Sequence, residues 1–513
     1  MKDTKVAKEE GKKVYDYDKT KVRELLVRGF KAKNAESTVA DLAGLTGLPL
    51  SQIEAELPAV SDEYGARLKV TASGEILYSF PRGMKSRYRG FLPGLKRFLG
   101  IARKGAAEAG KFLFKTWIMV MLVGYFVLFI ALALFAMVAS IAIQQGGNNR
   151  SSSRGRDSGG LGGLWLTGRL FDSLIRIWFY SELFKGPEAR HGRFAAKKDR
   201  YPLHKAVFSH VFGDGDPNRD WPRVEKKAVV AFLQTHKGVM TMAEFMALTG
   251  REPEDAELAI NAYLLEFEGI PEVSPLGHVY FSFPKLLSRL GTTPETAGST
   301  VLLKRTKKFS SNSPKADWTF RLINGFNVLF GGYFLWGALS VGPEVYIRTA
   351  EGWALRGGLA FLYSASAYLF QLLGMDNPIP LLGWGLGVTP LVFSSLFFAI
   401  PLLRSARLVA ENEAIKTDNL RKIAYRNVLA SESAFRPESL AVSVDEAKPK
   451  DSRALGRIID RFAAWAKAEP SPEGYRFDSV AESQKEIQGI REKIDMSALG
   501  PGAVVFDSDS KVE

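Results

Sequence analysis

A chain of 513 residues has room for several domains, and its 46% of hydrophobic residues is gathered into runs rather than spread evenly. It contains no cysteine, which excludes disulfide frameworks, thiolate-held metals or clusters, and cysteine nucleophiles. Lys and Arg number 69 against 55 Asp and Glu, a net charge of +14 that clusters beside the apolar runs and so points to a membrane surface.

Residues 1–18 form a charged tail expected to be disordered. Residues 19–90 then read as a small module. A helical pattern over 19–32 places Val22, Leu25, Leu26 and Phe30 on one face. Ser37 is positioned to cap a short helix ending at Gly47, and Ser51 a third helix reaching about Tyr64. Leu68 and Val70, a turn at Ala72–Gly74, and Ile76, Tyr78 and Phe80 then give a hairpin with period-two apolar residues. Three helices and a hairpin make a winged helix. The same pattern recurs at residues 222–290. TVADLAGLTG and GEILYSFP, between Thr38 and Pro81, align without a gap on TMAEFMALTG and GHVYFSFP, between Thr241 and Pro284. About a dozen identities over about 45 positions mark an internal duplication. The two FP corners are expected to anchor each hairpin, Phe80 and Phe283 packing on the helix that carries Leu42 and Leu45 or Phe245 and Leu248.

Between the modules lies a membrane signature. Residues 91–115 are a basic juxtamembrane segment, and from Arg82 to Lys115 ten cations face a single anion, Glu108. Such a cluster ahead of a span fixes that end in the cytoplasm. Its members Arg82, Lys85, Arg87, Arg89, Lys96, Arg97, Arg103 and Lys104 are candidate contacts to anionic lipid head groups. Residues 116–145 hold a transmembrane helix, since Trp117–Ile143 is 27 residues without a charge. A Gly/Ser-rich loop, 146–163, leads to the segment 164–184. There Arg169, Asp172 and Arg176 share one helical face and aromatic and aliphatic residues the other. The segment either crosses beside the first span or lies flat in the interface, and crossing is favoured because it returns the chain to the basic side.

The basic linker 185–221 carries FGDGDPN. Asp214, Asp216, Asn218, Asp220 and Glu225 stand at positions 1, 3, 5, 7 and 12 of a calcium loop. Arg219 occupies the place of the required glycine, which favours a polar turn with Asp220 capping the next helix over a Ca2+ site. A second basic linker, 291–320, precedes a membrane region, 321–404, with apolar runs near 322–341, 357–373 and 379–403. Three spans there would put the C-terminal part outside. The last run contains Pro380, Pro390 and Pro401 with Gly383, Gly385 and Gly387, so one of the three is a candidate re-entrant or interfacial segment and the region holds two or three spans. Residues 405–435 continue as a cytoplasmic helix, where Glu411, Glu413 and Asp418 read as a solvated face. In 436–513 a linker leads to two amphipathic helices, 452–466 with Leu455, Ile458, Ile459, Phe462 and Trp465 as its stripe, and 478–495. GAVVFDSDSKVE closes the chain; its apolar piece fits a core strand or a peptide for a partner equally well.

Charge decides against DNA. A groove-reading third helix presents Arg, Lys, Asn or Gln. The first module offers Gln52, Glu54, Glu56, Asp62 and Glu63 there, and the second has no Lys or Arg between Glu252 and Pro284. Only Arg67 and Lys69 on the first wing suit phosphates. No phosphate loop, dinucleotide pattern or zinc-protease motif is present, and the histidines are scattered, so no enzyme and no cofactor are expected.

AVFSHVFGDGDPN ahead of a module ending in VYFSFP, with the LTG and LYSFP copy before it, resembles a group of uncharacterised membrane proteins of cyanobacteria, other bacteria and plant plastids. The resemblance covers roughly residues 37–290. It implies a membrane location and the repeated module, but no mechanism. An iron–sulfur role, associated with plant members, finds no thiolate in this chain. The expectation is therefore a mostly α, non-enzymatic scaffold or regulatory adaptor of the bacterial inner membrane. Its two cytoplasmic winged helices would contact an unidentified protein. A membrane-tethered transcription regulator is the alternative, and a transporter or channel component comes third.

Overall fold

The computed structural model describes residues 16–33, 36–81, 84, 85, 87, 106–146, 202–290, 302–349, 352–431, 435–472, 474–495, 500 and 502–508. The charged tail through residue 15, the Gly/Ser loop and the segment 164–184 lie outside them, as do residues 185–201.

In chain order, α1 (Lys19–Lys33), α2 (Val39–Thr46) and α3 (Leu50–Tyr64) precede β1 (Arg67–Thr71) and β2 (Ile76–Ser79). Next come the long apolar α4 (Ala106–Ile141), with a π-helical turn at Val120–Gly124, and the short α5 (Leu203–Phe212). The second repeat comprises α6 (Trp221–Thr235), β3 (Val239–Thr241), α7 (Met242–Thr249), α8 (Pro253–Phe267), β4 (Ile270–Val273) and β5 (Val279–Ser282). Then follow α9 (Pro314–Ser340), the hairpin β6 (Tyr346–Thr349) and β7 (Gly352–Leu355), and α10 (Phe361–Leu372). A π-helical stretch at Leu381–Val388 runs into α11 (Thr389–Ala430). The chain finishes with α12 (Ala454–Ala466), β8 (Glu469–Ser471), β9 (Gly474–Arg476), α13 (Asp478–Lys493) and β10 (Val504–Asp507). The protein is thus mostly helical, with small antiparallel sheets.

These elements form two compact units. A repeat unit comprises Met1–Ala102, Asp216–Lys307 and Arg407–Glu513; a long-helix unit comprises Arg103–Gly215 and Lys308–Ala406.

In the repeat unit both copies start their second helix with a capping box. Thr38 caps α2 reciprocally with Asp41, and Thr241 caps α7 with Glu244. The caps expected at Ser37 and Ser51 are therefore displaced: Ser37 instead bridges Tyr78, and α3 begins after Pro49 with no side-chain cap. The bridge is informative, because its counterpart in the second repeat is the Met240–Phe281 pair of β3 and β5. The segment ahead of the second helix thus joins each hairpin, as the three-residue strand β3 in the second repeat and as a single bridge in the first.

The LTG motif explains itself in three dimensions. Gly47 and Gly250 both end their helices in the left-handed region, φ +70° and +73°, where a side chain is strained. Both also receive a neighbour: a Cβ on Gly47 would lie 2.9 Å from the Arg223 carbonyl of α6, and one on Gly250 2.6 Å from Lys422 Cγ of α11. Each repeat therefore offers the same corner to the element that packs on it. The resulting core is continuous, running from Leu26, Leu42 and Ile53 through Leu233, Phe245 and Phe267 to Tyr425 and Phe462. In α12 the buried stripe is Ile458, Ile459 and Phe462 with Ala454, Ala463 and Ala466, while Leu455 and Trp465 are half-buried.

The terminal apolar piece is a strand, not a free peptide. β10 pairs antiparallel with β1, Val70 opposite Phe506, and Arg67 forms a bidentate pair with Asp507 at 2.8 and 2.6 Å. Lys69 is held by Glu36, so both cations of this hairpin are engaged rather than solvated. The second hairpin has no such added strand among the described residues, for a reason visible in the repeat. The amides of Leu68 and Ala72 donate toward the terminal segment, to Ser508 Oγ and Ala503 O. Pro271 and Pro275 occupy the equivalent positions and have no N–H to give.

Three helices are long and apolar enough to cross a membrane: Ala106–Ile141, Pro314–Ser340 and Leu381–Ala430, the last with its π-helical start and with its residues through Ala406 in the long-helix unit. The run near 357–373 forms only a 12-residue helix. At about 18 Å it is too short to span a hydrocarbon layer of about 30 Å. The Pro- and Gly-rich last run is continuous with α11, so of the three runs it is the short one, near 357–373, that lacks the length to span. The glycines of the last run admit α9 closely: a Cβ on Gly387 would sit 3.0 Å from the Leu335 backbone, and one on Gly331 3.3 Å from Gly387 O. Buried amides tie the helices, Asn327 donating to the Leu122 carbonyl in the π-turn of α4 and Asn324 to Ser394 O.

Candidate functional site

In the repeat unit the third helices face inward. On α3 the carboxylate of Glu56 is buried and accepts from Arg23 Nε at 2.5 Å and Tyr17 Oη at 3.2 Å; Gln52 is also buried. On α8 Glu266 takes Lys226, and Glu252, just ahead of the helix, takes Arg421 at 2.9 Å and also Arg461 of α12. The acidic character that opposes DNA is therefore partly structural: opposite charges from other elements neutralise these groups inside the unit. Glu54, Glu254, Asp255 and Glu257 remain at the surface.

A cleft of about 670 Å³ opens between the repeats, lined by Gln52, Trp221, Arg251, Tyr263, Lys304 and Arg421 among others. Buried Glu225 anchors its floor. It accepts from Arg251 (2.9 Å), the Tyr263 hydroxyl (3.1 Å) and Trp221 Nε1 (3.2 Å). Burial and the adjacent Glu225 carboxylate push the Tyr263 phenol well above its ordinary value, so it stays a hydrogen-bond donor. Lys422, fully buried, lies 4.5 Å over the Trp221 ring. The face of α11 expected to be solvated is engaged too: Asp418 binds Lys304, Glu411 binds Lys307, and Glu413 accepts from the Lys450 amide.

The FGDGDPN residues have separate partners. In the long-helix unit Asp214 accepts from the hydroxyls of Ser209 (2.8 Å) and Ser311 (2.7 Å). In the repeat unit Asp216 accepts from Lys307 at 2.9 Å and from the Asn218 amide, and Asn218 exchanges two bonds with the Arg305 backbone. Asp220 stands at the N-cap of α6 but makes no capping bond, a correction to its expected role; Arg223 lies 3.7 Å away. Glu225 lies inside α6. Among the described residues no group of three or more His, Cys, Asp or Glu side chains is arranged to hold a metal.

The motif's other part builds a polar collar in the long-helix unit. Buried His210 lies 3.0 Å from Asp317 at the start of α9, and Asp317 also accepts from Ser310 and Asn312. Burial pulls the imidazole below its ordinary value, so Nδ1–H donates to Asp317 from a neutral ring. Arg404 donates to the carbonyls of Phe309 and His210, both at 2.7 Å, and passes so close to Gly213 that any Cβ there would collide with it. Only glycine fits, with φ +78° besides.

Of the basic cluster, Lys85 is exposed, and Arg87 is tied down by its amide to Glu63 O, its guanidinium against Gly65. Arg82, Arg89, Lys96, Arg97, Arg103 and Lys104 lie outside the described residues.

The chain is 22% identical over 474 residues to an uncharacterised chloroplastic protein of Arabidopsis thaliana, covering 88% of this chain and 80% of that protein. No protein-family model and no solved structure matches it.

Proposed function

We propose that this is a non-enzymatic membrane scaffold or adaptor whose two repeats are winged helices used for protein contact. The observation that carries the proposal is the fate of α3 and α8. In a DNA reader the polar face of these helices is free to meet the groove, whereas here Gln52 and Glu56 on α3 and Glu266 on α8 are buried, the two carboxylates paired with Arg23 and Lys226. The carboxylates left outside would repel phosphates. A membrane-tethered regulator would need one third helix exposed and basic, and nothing among the described residues favours it. Titration of the detergent-solubilised protein with duplex DNA near physiological salt is expected to show no micromolar binding. Tight binding with a steep salt slope would sink the proposal.

A bacterial inner membrane with the repeat unit on its cytoplasmic face accords with the basic flanks. Support for the topology comes from the core. Met1–Ala102, Asp216–Lys307 and Arg407–Glu513 share one apolar interior and so lie on one side of any membrane the chain crosses. Each excursion from that side needs an even number of crossings. Between Lys307 and Arg407, α9 and the first half of α11 supply two. Between Ala102 and Asp216, α4 supplies one, and the proposed return lies at Leu164–Tyr180. Single cysteines in this cysteine-free chain report the arrangement. In intact cells an impermeant thiol reagent is expected to label Ser152→Cys and to spare Leu276→Cys, on the exposed second wing. Labelling of both would remove the return crossing, the opposite pattern would invert the orientation, and protection of both would remove the crossing by α4.

A further inference from the structure

We infer that a basin at the start of α4 binds the phosphate head group of an anionic phospholipid. This rests on the proposal that α4 crosses a membrane, and it gives that membrane contact a site. The basin has a volume of about 610 Å³ and lies wholly within the long-helix unit. Lys111 and Lys115, one turn apart on α4, and Lys205 on α5 bring three ammonium groups to its edge. Lys111 pairs with exposed Glu108 at 2.8 Å, whereas among the described residues no carboxylate pairs with Lys115 or Lys205. Lys115 sits 4.5 Å over the Phe208 ring, which holds it at the rim. The one acid in the lining, Asp214, is engaged by the Ser209 and Ser311 hydroxyls.

The rest of the lining is largely aromatic. Phe208 and Phe212 lie 5.0 Å apart and Phe114 5.9 Å from Phe212, and Phe114 stacks outward on half-exposed Trp117. Free phosphate has no use for such a lining; an amphiphile does. Its head group would meet the lysines while its acyl chains follow the exposed Phe114, Trp117 and Val120 down α4. Aromatic and cationic side chains at the mouth of a long apolar helix are what the membrane interface selects.

The test uses the full-length protein in neutral detergent, with its thermal midpoint read against dioctanoyl-phosphatidylglycerol, dioctanoyl-phosphatidylcholine and inorganic phosphate. Only the phosphatidylglycerol is expected to raise the midpoint saturably. Each lysine near an anionic lipid is worth about fivefold in affinity, so Lys115→Gln with Lys205→Gln should weaken the response roughly 25-fold. Lys205→Glu alone, at an exposed position, keeps the test open should the double variant fold poorly. Equal stabilisation by phosphatidylcholine would reduce the site to an apolar groove, and equal stabilisation by phosphate to an ion site. An unshifted titration in the variants would place the lipid elsewhere. Retention of the protein in membranes after an alkaline wash is scored in parallel. Loss of retention overturns the membrane proposal itself; loss of the lipid response with retention intact overturns only this site.

Discussion

Phe283→Ala should destabilise the repeat unit by about 3–5 kcal/mol, the usual cost of emptying a buried phenylalanine site that cannot collapse. Phe283 is fully buried, and its ring fills the space beside Gly269 so completely that any Cβ there would collide with it. Its amide donates to Gly238 O at 2.8 Å, and the next residue, Pro284, opens a 3-10 turn that buries Leu286 and Leu287. One truncation thus loosens the end of β5, the turn and the packing on α6. The duplicate corner is not equivalent, contrary to what the matching SFP strings suggest. Phe80 is half-buried and meets Phe30 edge-on at 4.6 Å, so Phe80→Ala should cost no more than about 2 kcal/mol. Thermal midpoints of the two variants in detergent decide the matter. Equal drops would mean that the two corners share one environment, and no drop for Phe283→Ala that its ring does not anchor the core.

The sequence shows the repeat because its local grammar is strong. A threonine cap, a left-handed glycine after LT and a strand ended by FP are short-range requirements that leave short-range traces. The apolar runs are equally legible, since a helix in hydrocarbon needs length before anything else. The purpose of Gly47 and Gly250 is not legible, because it lies in a contact with Arg223 or Lys422, far along the chain. The same holds for FGDGDPN: a calcium-loop spacing can be read locally, but beside the local bonds from Ser209 and the Asn218 amide, Asp214, Asp216 and Asn218 are each engaged by residues 305–311, almost a hundred positions later. The caps at Ser37 and Ser51 went astray because serine, threonine and proline all suit helix starts, and only packing selects among neighbours.

Arg491→Ala is expected to cost a comparable 3–5 kcal/mol, for an electrostatic rather than a steric reason. Arg491 on α13 and Glu244 on α7 are both buried, their side chains 7% and 9% exposed, with Nη2 donating to Oε2 at 2.7 Å and to Val239 O at 2.9 Å. The same Glu244 oxygen accepts from the Thr241 amide, so the capping box of the second repeat is completed by a helix 247 residues away. Removing the guanidinium leaves a carboxylate in an apolar surround, and that uncompensated charge, more than the lost bond, sets the cost. The pair Arg491→Met with Glu244→Gln should then regain most of the loss, because the amide still caps and no charge is stranded. If the double variant melts as low as Arg491→Ala, α13 is held by the apolar contacts of Ile487 with Val239 and Tyr280. The ion pair would then orient the helix without stabilising it.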